Sequence, residues 1–352
     1  MIHRWIRGLL ILSALIICVM ILIGLKLSVK GHQGPTTAHF NGQRFYNRPH
    51  TPQHSFSTIL KWQLTRSISP WVLPTHSKAD HRPVRVTQAV CITALSHASF
   101  LIQTPQATLI TDPIWSMRAS PLTWAGPKRV TPPPIPFETL PPIDYVLISH
   151  NHYDSLDLKT LQRLKHAHHP VFVAGLGNEH LLTQKHITPV VTLDWWDHVP
   201  HSKLPIQFMP AQHFSGRGLF DRNNTLWGGF LIQSPIGSIY FAGDTGLGPF
   251  IDQIKSRIGA IKIALLPIGA YEPRYIMKPM HMNPEESVKT FKKLNPTFAM
   301  GMHFDTFEGL ADEAQYQAIK DLQTALKKYQ INPHLFIAPQ PGQRRCWPIH
   351  TL

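Results

Sequence analysis

Two histidines separated by one residue follow a short apolar run in the middle of the chain. His150 and His152 come directly after residues 145–149 (YVLIS), which predict a buried strand, and Asp154 lies two residues further on. Imidazole and carboxylate groups are suitable ligands for Zn²⁺ and similar divalent metals. A histidine pair alone could arise by chance among 22 histidines. Its place at a strand end, next to Asp154, indicates a metal site.

The same arrangement, a strand-like run followed by a ligand-type residue, recurs three times. The segments are PAQH, FAGD and MGMH, which end at His213, Asp244 and His303. Gly243 and Gly301 precede two of these side chains and allow a close approach of the backbone. Each segment alone is weak support for a metal site. The four in this order indicate metal-dependent chemistry.

The elements that position these residues begin at about residue 88, where short β-rich runs alternate with turns. The predicted strands are VCITAL, FLIQT, ATLITD, YVLIS, VFVA, IQFMPA, GGFLIQ, SIYFAGD and IKIALLPI. Asn283-Pro284-Glu285-Glu286 predicts the start of a helix that ends near Asn295, and a second helix is predicted over residues 311–329. This pattern favours a core of two packed sheets with helices outside.

The order HxHxD, His, Asp, His resembles the metallo-β-lactamase superfamily. More narrowly, the chain is similar to the N-acyl-phosphatidylethanolamine-hydrolysing phospholipase D family and its bacterial relatives over roughly residues 88–344. The matching segments are SHASFLI (96–102), TDPIWSMRASPLTWAGPKR (111–129), LPPIDYVLISHNHYDSLD (140–157), LDWW (193–196), PAQHFS (210–215), LWGGF (226–230), FAGDTG (241–246), PIGAYEPRYIMK (267–278), HMNPEES (281–287) and MHFDTF (302–307).

The resemblance implies a four-layer αββα fold and one or two bound metal ions. Zn²⁺ is the expected metal, and other divalent transition metals are alternatives. His150, His152 and His213 would bind the first metal, and Asp244 would bridge to the second. Asp154 and His303 would bind the second metal.

The fuller motif HxHxDH has a histidine ligand at the position where this sequence has Ser155. A hydroxyl is a poorer metal ligand than imidazole. We therefore expect the second site to be weaker, completed by water, or absent.

The implied function is hydrolysis of a phosphodiester in N-acyl-phosphatidylethanolamine or a related phospholipid. A metal lowers the pKa of bound water to about 7 and so produces hydroxide at neutral pH. The resemblance assigns Asp154 to orienting that water or receiving its proton. His281 would contact the substrate, although an ordinary loop histidine is an equal alternative.

Two other functions stay open. The same scaffold can hydrolyse a lactone, a cyclic phosphodiester or a small phosphoester. The serine at position 155 also leaves room for a catalytically weak lipid-binding relative. The segment GDTGLG lacks the G-x-G-x-x-G spacing, which argues against a nucleotide site.

The N-terminus predicts a membrane attachment. Residues 8–25 carry no charge over a length that spans a bilayer as a helix, with basic residues on both sides. Residues 1–30 are therefore a transmembrane anchor or a cleaved signal, and the side of the membrane is open. Residues 31–86 would form an extension that packs on the domain, touches lipid or is a plain surface arm. Residues 87–352 would form the hydrolase domain.

Lys and Arg exceed Asp and Glu by 34 − 20 = 14, which favours an anionic partner. No nucleic-acid motif is present, so the expected partners are a phospholipid substrate and a membrane surface, and a homodimer is left open. Cys18 lies in the apolar run, and Cys91 and Cys346 show no CxxC spacing. The spacing predicts neither a disulfide framework nor a cysteine-based zinc site.

Overall fold

The computed structural model describes residues 2–52, 54–73 and 83–349. Parts of the predicted extension and the last three residues of the predicted hydrolase domain lie outside these ranges. The helices of the described ranges are α1 Ile2–Leu27, α2 Phe56–Thr65, α3 Leu158–His168, α4 Asn178–Gln184, α5 Phe250–Arg257, α6 Arg274–Met277, α7 Pro284–Leu294 and α8 Gln317–Lys328. The strands are β1 Ala89–Ser96, β2 Ser99–Gln103, β3 Thr108–Thr111, β4 Lys128–Arg129, β5 Tyr145–Ile148, β6 Val171–Gly175, β7 Val190–Leu193, β8 Ile206–Met209, β9 Gly229–Ser234, β10 Gly237–Phe241, β11 Ile261–Pro267, β12 Phe298–Met302, β13 Phe307–Glu308, β14 Phe336–Ile337 and β15 Arg344–Pro348.

Two large mixed sheets form the centre of the molecule. The seven-stranded sheet has the order β15-β1-β2-β3-β5-β6-β7, and the six-stranded sheet has the order β14-β12-β11-β10-β9-β8. In β5 the side chains alternate between two cores, as the period of a strand requires. Tyr145 and Leu147 pack toward the second sheet, whereas Val146 and Ile148 pack toward α3 and α4. Because α5, α7 and α8 pack on the six-stranded sheet, the predicted αββα architecture is confirmed.

The predicted helix starts agree with the structure to different degrees. At α7, the Asn283 side chain accepts a hydrogen bond from the backbone N–H of Glu286, and the Glu286 carboxylate accepts one from the backbone N–H of Asn283, which is the predicted capping box. The helix predicted over residues 311–329 is shorter, since α8 begins only after Tyr316. Tyr316 has a left-handed backbone with φ of 65°. That conformation separates α8 from the preceding loop.

The structure contains a disulfide that the spacing of the cysteines did not predict. Cys91 in β1 and Cys346 in β15 are direct partners in an antiparallel pair, and they form a disulfide across 255 residues of sequence. Local spacing holds no sign of this bond, because only the pairing of the two strands brings the cysteines together. Cys18 is a free, exposed cysteine.

Replacing Cys346 with serine is expected to lower the free energy of unfolding by about 2–5 kcal/mol, since the bond closes a very long loop in the unfolded chain. Thermal unfolding in detergent, with and without reductant, measures this. Reductant should lower the melting temperature of the parent to that of Cys346→Ser and leave the variant unchanged. Equal melting temperatures for the oxidised parent and the variant would contradict the prediction.

The N-terminal segment consists of an exposed helix followed by a packed extension. α1 is long and apolar enough to cross a membrane, and no other helix of the described ranges meets that test. The chain contacts the domain two residues after α1 ends, since the backbone N–H of Val29 donates to Asp221 at 2.9 Å. Phe40 and Phe45 are fully buried in the main core. The described part of the extension therefore packs on the domain.

α2 belongs to this packed extension. Ser55 caps the helix by accepting a hydrogen bond from the backbone of Thr58. The indole N–H of Trp62 donates to Asp312 at 2.6 Å, and the guanidinium of Arg66 lies 4.5 Å from the Trp62 ring centroid. One face of α2 is fixed to the loop before α8. The opposite face leaves Leu60 and Leu64 exposed.

Candidate metal centre

The candidate ligands lie where strands end, at a shared edge of the two sheets. His150 and His152 follow β5, and His213 follows β8. Asp244 follows β10, and His303 follows β12 directly. The loops after these strands meet, so residues as far apart in sequence as Asp154 and His303 become neighbours. Every residue that the sequence indicated as a metal ligand is in this cluster.

The three histidines predicted for a first site form one group. Nε2 of His150 lies 2.8 Å from Nδ1 of His152, and Nε2 of His213 lies 3.3 Å from that same nitrogen. All three ligand atoms lie within 4.8 Å of one another. Three imidazole nitrogens that converge in this way can hold a divalent metal, with room for a fourth ligand.

Outer contacts orient two of these rings. Ser149 donates to Asp112, and its oxygen lies 2.8 Å from Nδ1 of His150. Nδ1 of His213 lies 3.0 Å from the carbonyl oxygen of Met280. In both rings the outer nitrogen is engaged, which leaves Nε2 facing the centre. Asp112 is itself fully buried, and burial raises the pKa of its carboxyl.

Asp244 lies at the centre of the whole cluster. Its Oδ2 is 2.8 Å from Nε2 of His303, 3.6 Å from Nε2 of His150 and 3.9 Å from Nε2 of His213. Neither carboxylate oxygen is aligned with a hydrogen-bond donor, although both are buried. A buried carboxylate surrounded by imidazole nitrogens forms a ligand set that suits a divalent cation. The residues present therefore fit a bound divalent metal.

A second group of ligand atoms surrounds Asp154. Its Oδ2 lies 3.3 Å from Nε2 of His303 and 3.2 Å from Nε2 of His97. The sequence reasoning missed His97, because it lies far upstream in the turn between β1 and β2. The segment SHASFLI, which contains His97, was part of the family resemblance, but its sequence gives no indication that the histidine faces a metal centre.

In the cluster, the pKa values keep the two carboxylates ionised and most of the histidines neutral at neutral pH. Burial acts to raise the pKa of Asp154 and of Asp244, but the neighbouring histidines outweigh it and hold both values well below the usual range. Burial lowers the pKa of His150 and, further, that of His213. These rings are neutral at neutral pH, as metal binding requires.

His303 behaves differently from the other histidines. Burial acts to lower its pKa, but the charges of Asp244 and Asp154 outweigh burial and raise the value to about 10. Without a metal this ring is a positively charged imidazolium that lies between the two carboxylates. Binding of a cation at His303 would release the proton of that imidazolium.

His281 and Ser155, the two other residues singled out in the sequence, lie next to the ligand cluster in different settings. His281 borders the cluster, with its ring centroid 5.0 Å from that of His213 and 5.2 Å from that of His303. Burial lowers the pKa of His281 to about 4. Ser155 is fully buried, and its hydroxyl has no hydrogen-bond partner.

A cavity of about 410 Å³ opens onto the cluster. His152, Asp154, Asp244, His281 and His303 form its floor. Its walls are largely apolar and come from α2, from the segment around α6 and from Phe214. The wall residues include Ile59, Trp62, Ile276, Met277 and Met280. An apolar ligand with one polar group can therefore place that group at the cluster.

Known proteins resemble the chain in sequence and in fold. The family described as beta-lactamase superfamily domain matches residues 107–304. N-acyl-phosphatidylethanolamine-hydrolyzing phospholipase D 1 of Caenorhabditis elegans is 36% identical over 229 residues, which are 61% of this chain and 64% of that protein. The chain thus spans slightly less than two thirds of the length of that relative.

An uncharacterized protein of Mycobacterium bovis is 34% identical over 261 residues, which cover 72% of this chain and 68% of that protein. The solved structure of Igni18, a metallo hydrolase from Ignicoccus hospitalis, has a TM-score of 0.55 at 22% identity and covers 74% of this chain and 98% of that one. This structural likeness shows the fold alone. Taken with the matched family and the two relatives, the cluster shows that the chain belongs to the beta-lactamase superfamily, as a metal-dependent hydrolase related to the N-acyl-phosphatidylethanolamine-hydrolysing phospholipases D.

Proposed function

We propose that the chain is a membrane-anchored phosphodiesterase of phospholipase D type, with N-acyl-phosphatidylethanolamine or a related phospholipid as substrate. The observation that carries this proposal is the cavity, whose apolar walls lead to a floor of histidines and carboxylates. A phospholipid has the matching form, since its acyl chains suit the walls and its phosphodiester suits the floor. The relative in Caenorhabditis elegans, which is named for this activity, adds support.

The proposed metal ligands are His150, His152, His213, Asp154, Asp244 and His303, and Zn²⁺ is the proposed metal. A divalent metal held there would acidify a water molecule and stabilise charge on a phosphoryl oxygen. Asp154 is ionised at neutral pH, because its pKa lies well below the usual range. A carboxylate of such low basicity suits orienting a water more than holding a proton.

The substrate contacts follow from the same cavity. His281 is neutral at pH 7, and its buried Nδ1 has no partner, so the ring can offer a hydrogen bond to a phosphate or head group. Arg222 also lines the cavity and stacks on Phe214, with its guanidinium carbon 4.1 Å from the ring centroid. Arg222 would then supply the positive charge that an anionic phosphodiester requires.

The test is hydrolysis by the full-length chain in vesicles that contain N-acyl-phosphatidylethanolamine. We expect phosphatidate and N-acylethanolamine as products, in equal amounts. A panel of a lactone, a cyclic phosphodiester and a small phosphoester is assayed beside it. Turnover of one of these with none of the phospholipid would replace the proposed substrate. Binding of the vesicles by metal-loaded protein without any turnover would favour a lipid-binding relative.

The exposed face of α2 gives a second test of the lipid substrate. Leu64 is 77% exposed, on the helix that contributes Ile59 and Trp62 to the cavity wall. Leu64→Asp is expected to lower activity on vesicles about 10-fold and to leave activity on detergent-dispersed substrate unchanged, because a charge at this place opposes contact with a bilayer.

The matched control is Leu335→Asp. Leu335 is also an exposed leucine, and it precedes β14 at the sheet edge opposite to the cluster. This control is expected to retain vesicle activity. If both variants lose activity on both forms of substrate, the effect lies in folding, and α2 has no special relation to lipid.

The disulfide bears on the side of the membrane. Disulfides persist in oxidising compartments and are rare where glutathione and thioredoxin keep thiols reduced. We therefore infer that the domain lies outside the reducing cytoplasm, with the anchor as its attachment. Trapping of free thiols in intact cells is expected to label Cys18 alone in the denatured chain. Labelling of Cys91 and Cys346 without added reductant would contradict this placement.

A further inference from the structure

His97 is held in the candidate metal centre by its backbone as well as by its side chain. Its N–H donates to the hydroxyl of Thr306 at 3.0 Å, and its carbonyl oxygen accepts from the N–H of His303 at 2.9 Å. The turn that carries His97 is thus fixed to the loop that carries His303. His97 has a φ of 50° and His303 a φ of 67°, a conformation that costs about 1–2 kcal/mol for such residues.

The distances around Asp154 match those of a metal site. The Oδ2 atom of Asp154 is 3.2 Å from Nε2 of His97 and 3.3 Å from Nε2 of His303. The three ligand atoms lie within 4.8 Å of one another. In a tetrahedral site with bonds of about 2.0–2.1 Å, neighbouring ligand atoms are about 3.3–3.4 Å apart. The carboxylate therefore stands at ligand spacing from both rings.

His97 also resembles His303 in its surroundings. Both side chains are buried, and their ring centroids lie 4.0 Å apart. In both rings Nδ1 has no hydrogen-bond partner, and Nε2 is the nitrogen that lies within 3.3 Å of a carboxylate oxygen. A buried imidazole with no other polar contact than Asp154 has no evident structural task that an apolar residue could not perform better.

Position 155 lacks the imidazole that the fuller family motif supplies. Ser155 is fully buried and its hydroxyl has no hydrogen-bond partner. Without a replacement, Asp154, Asp244 and His303 would be the protein ligands of a second metal. With His97 the set becomes two imidazoles and two carboxylates.

We propose that His97 is a ligand of the second metal and supplies the imidazole that Ser155 does not. The second site is then His97, Asp154, Asp244 and His303, so it is neither absent nor weakened by the serine. The ligand comes from the β1–β2 turn of the first sheet. This inference rests on the proposed metal-dependent function, but its test reads metal binding and is independent of the lipid substrate.

The experiment compares the full-length chain in detergent with His97→Gln. Glutamine keeps a donor that can reach Asp154, whereas its amide is a poor metal ligand. Metal-free protein is titrated with Co²⁺, followed by visible absorption and by metal analysis after dialysis. We expect two Co²⁺ per chain in the parent and one in His97→Gln. In His97→Gln the second Co²⁺ should bind at least about 100-fold more weakly than in the parent. Substitution of a residue that only hydrogen-bonds to a metal ligand typically weakens binding by about 10–100-fold.

The matched control is His39→Gln. His39 is also a buried histidine paired with a carboxylate, since Nε2 lies 2.6 Å from Asp194, but it is outside the three ligand groups of the described residues. It should retain two Co²⁺. A second Co²⁺ bound by His97→Gln with parent affinity would overturn the proposal.

A spectroscopic count distinguishes a ligand from a residue that only positions Asp154. X-ray absorption of the two-cobalt form should give one fewer imidazole per chain in His97→Gln than in the parent, at Co²⁺ concentrations that fill both sites. If binding weakens while the imidazole count stays the same, His97 acts through Asp154 and the ligand assignment is wrong. If metal binding follows the proposal while no lipid is hydrolysed, only the proposed substrate fails.

Discussion

Asp244→Asn is expected to lower kcat/KM by about 1000-fold or more and to reduce the bound metal to at most one ion per chain. Asp244 is the one carboxylate whose Oδ2 lies within 4 Å of His150, His213 and His303 among the described residues. Loss of its charge removes a shared ligand, and several kcal/mol of transition-state stabilisation correspond to this factor. Metal analysis and initial rates on one preparation measure both effects.

The size of asparagine matches that of aspartate, so packing is preserved and the change reports on charge and ligation. Asp194→Asn is the matched control, because Asp194 also contacts a histidine but lies outside the ligand groups of the described residues. It should retain metal and activity. Removal of metal from the parent by a chelator should reproduce the loss in Asp244→Asn. A metal-free parent with full activity would contradict the whole metal-dependent mechanism.

Deletion of residues 2–27 is expected to move the protein from the membrane fraction to the soluble fraction with its fold intact. The side chains of α1 are exposed along nearly its whole length, so its removal takes little from the core. A helix with an apolar stretch of 18 residues inserts into a bilayer in an effectively irreversible way, unlike surface contacts. Fractionation after a high-salt wash, with thermal unfolding of the released chain, measures the result.

The boundary of this deletion matters. Val29 is buried, and its N–H donates to Asp221, so a deletion through residue 31 removes contacts of the domain itself. The longer deletion should unfold at a lower temperature than the shorter one. A shorter variant that stays in the membrane after the wash would assign attachment to another surface. Full-length protein that is soluble with a new N-terminus near residue 30 would show a cleaved signal.

What the sequence predicted depended on local patterns. The strand β5 with His150 at its end and the cap of α7 follow from periodicity and capping residues, whereas the four-layer αββα fold was implied by the family resemblance. The cluster of six predicted ligands comes together in the structure, because the motifs each sit at a strand end. Their roles as metal ligands stay predictions until metal is measured.

What the sequence did not predict depended on contacts between distant segments. The pairing of β1 with β15 joins Cys91 to Cys346, and no spacing rule includes a partner 255 residues away. Phe40 and Phe45 sit in a polar segment, yet they enter the main core. His97 approaches Asp154 only because its turn is bonded to the loop of His303. In each case the fold decides which distant residues meet.

The junction between α1 and the domain has a mechanical consequence. Ser28 and Val29 are hydrogen-bonded to residues 220 and 221, next to Arg222 in the cavity wall, so no slack tether separates the helix from the catalytic body. On the proposed membrane placement, the mouth of the cavity keeps one height and one tilt above the lipid. The enzyme then searches for substrate by lateral diffusion in a single leaflet. Its rate should depend on the mole fraction of substrate in that leaflet rather than on the amount of lipid in the sample.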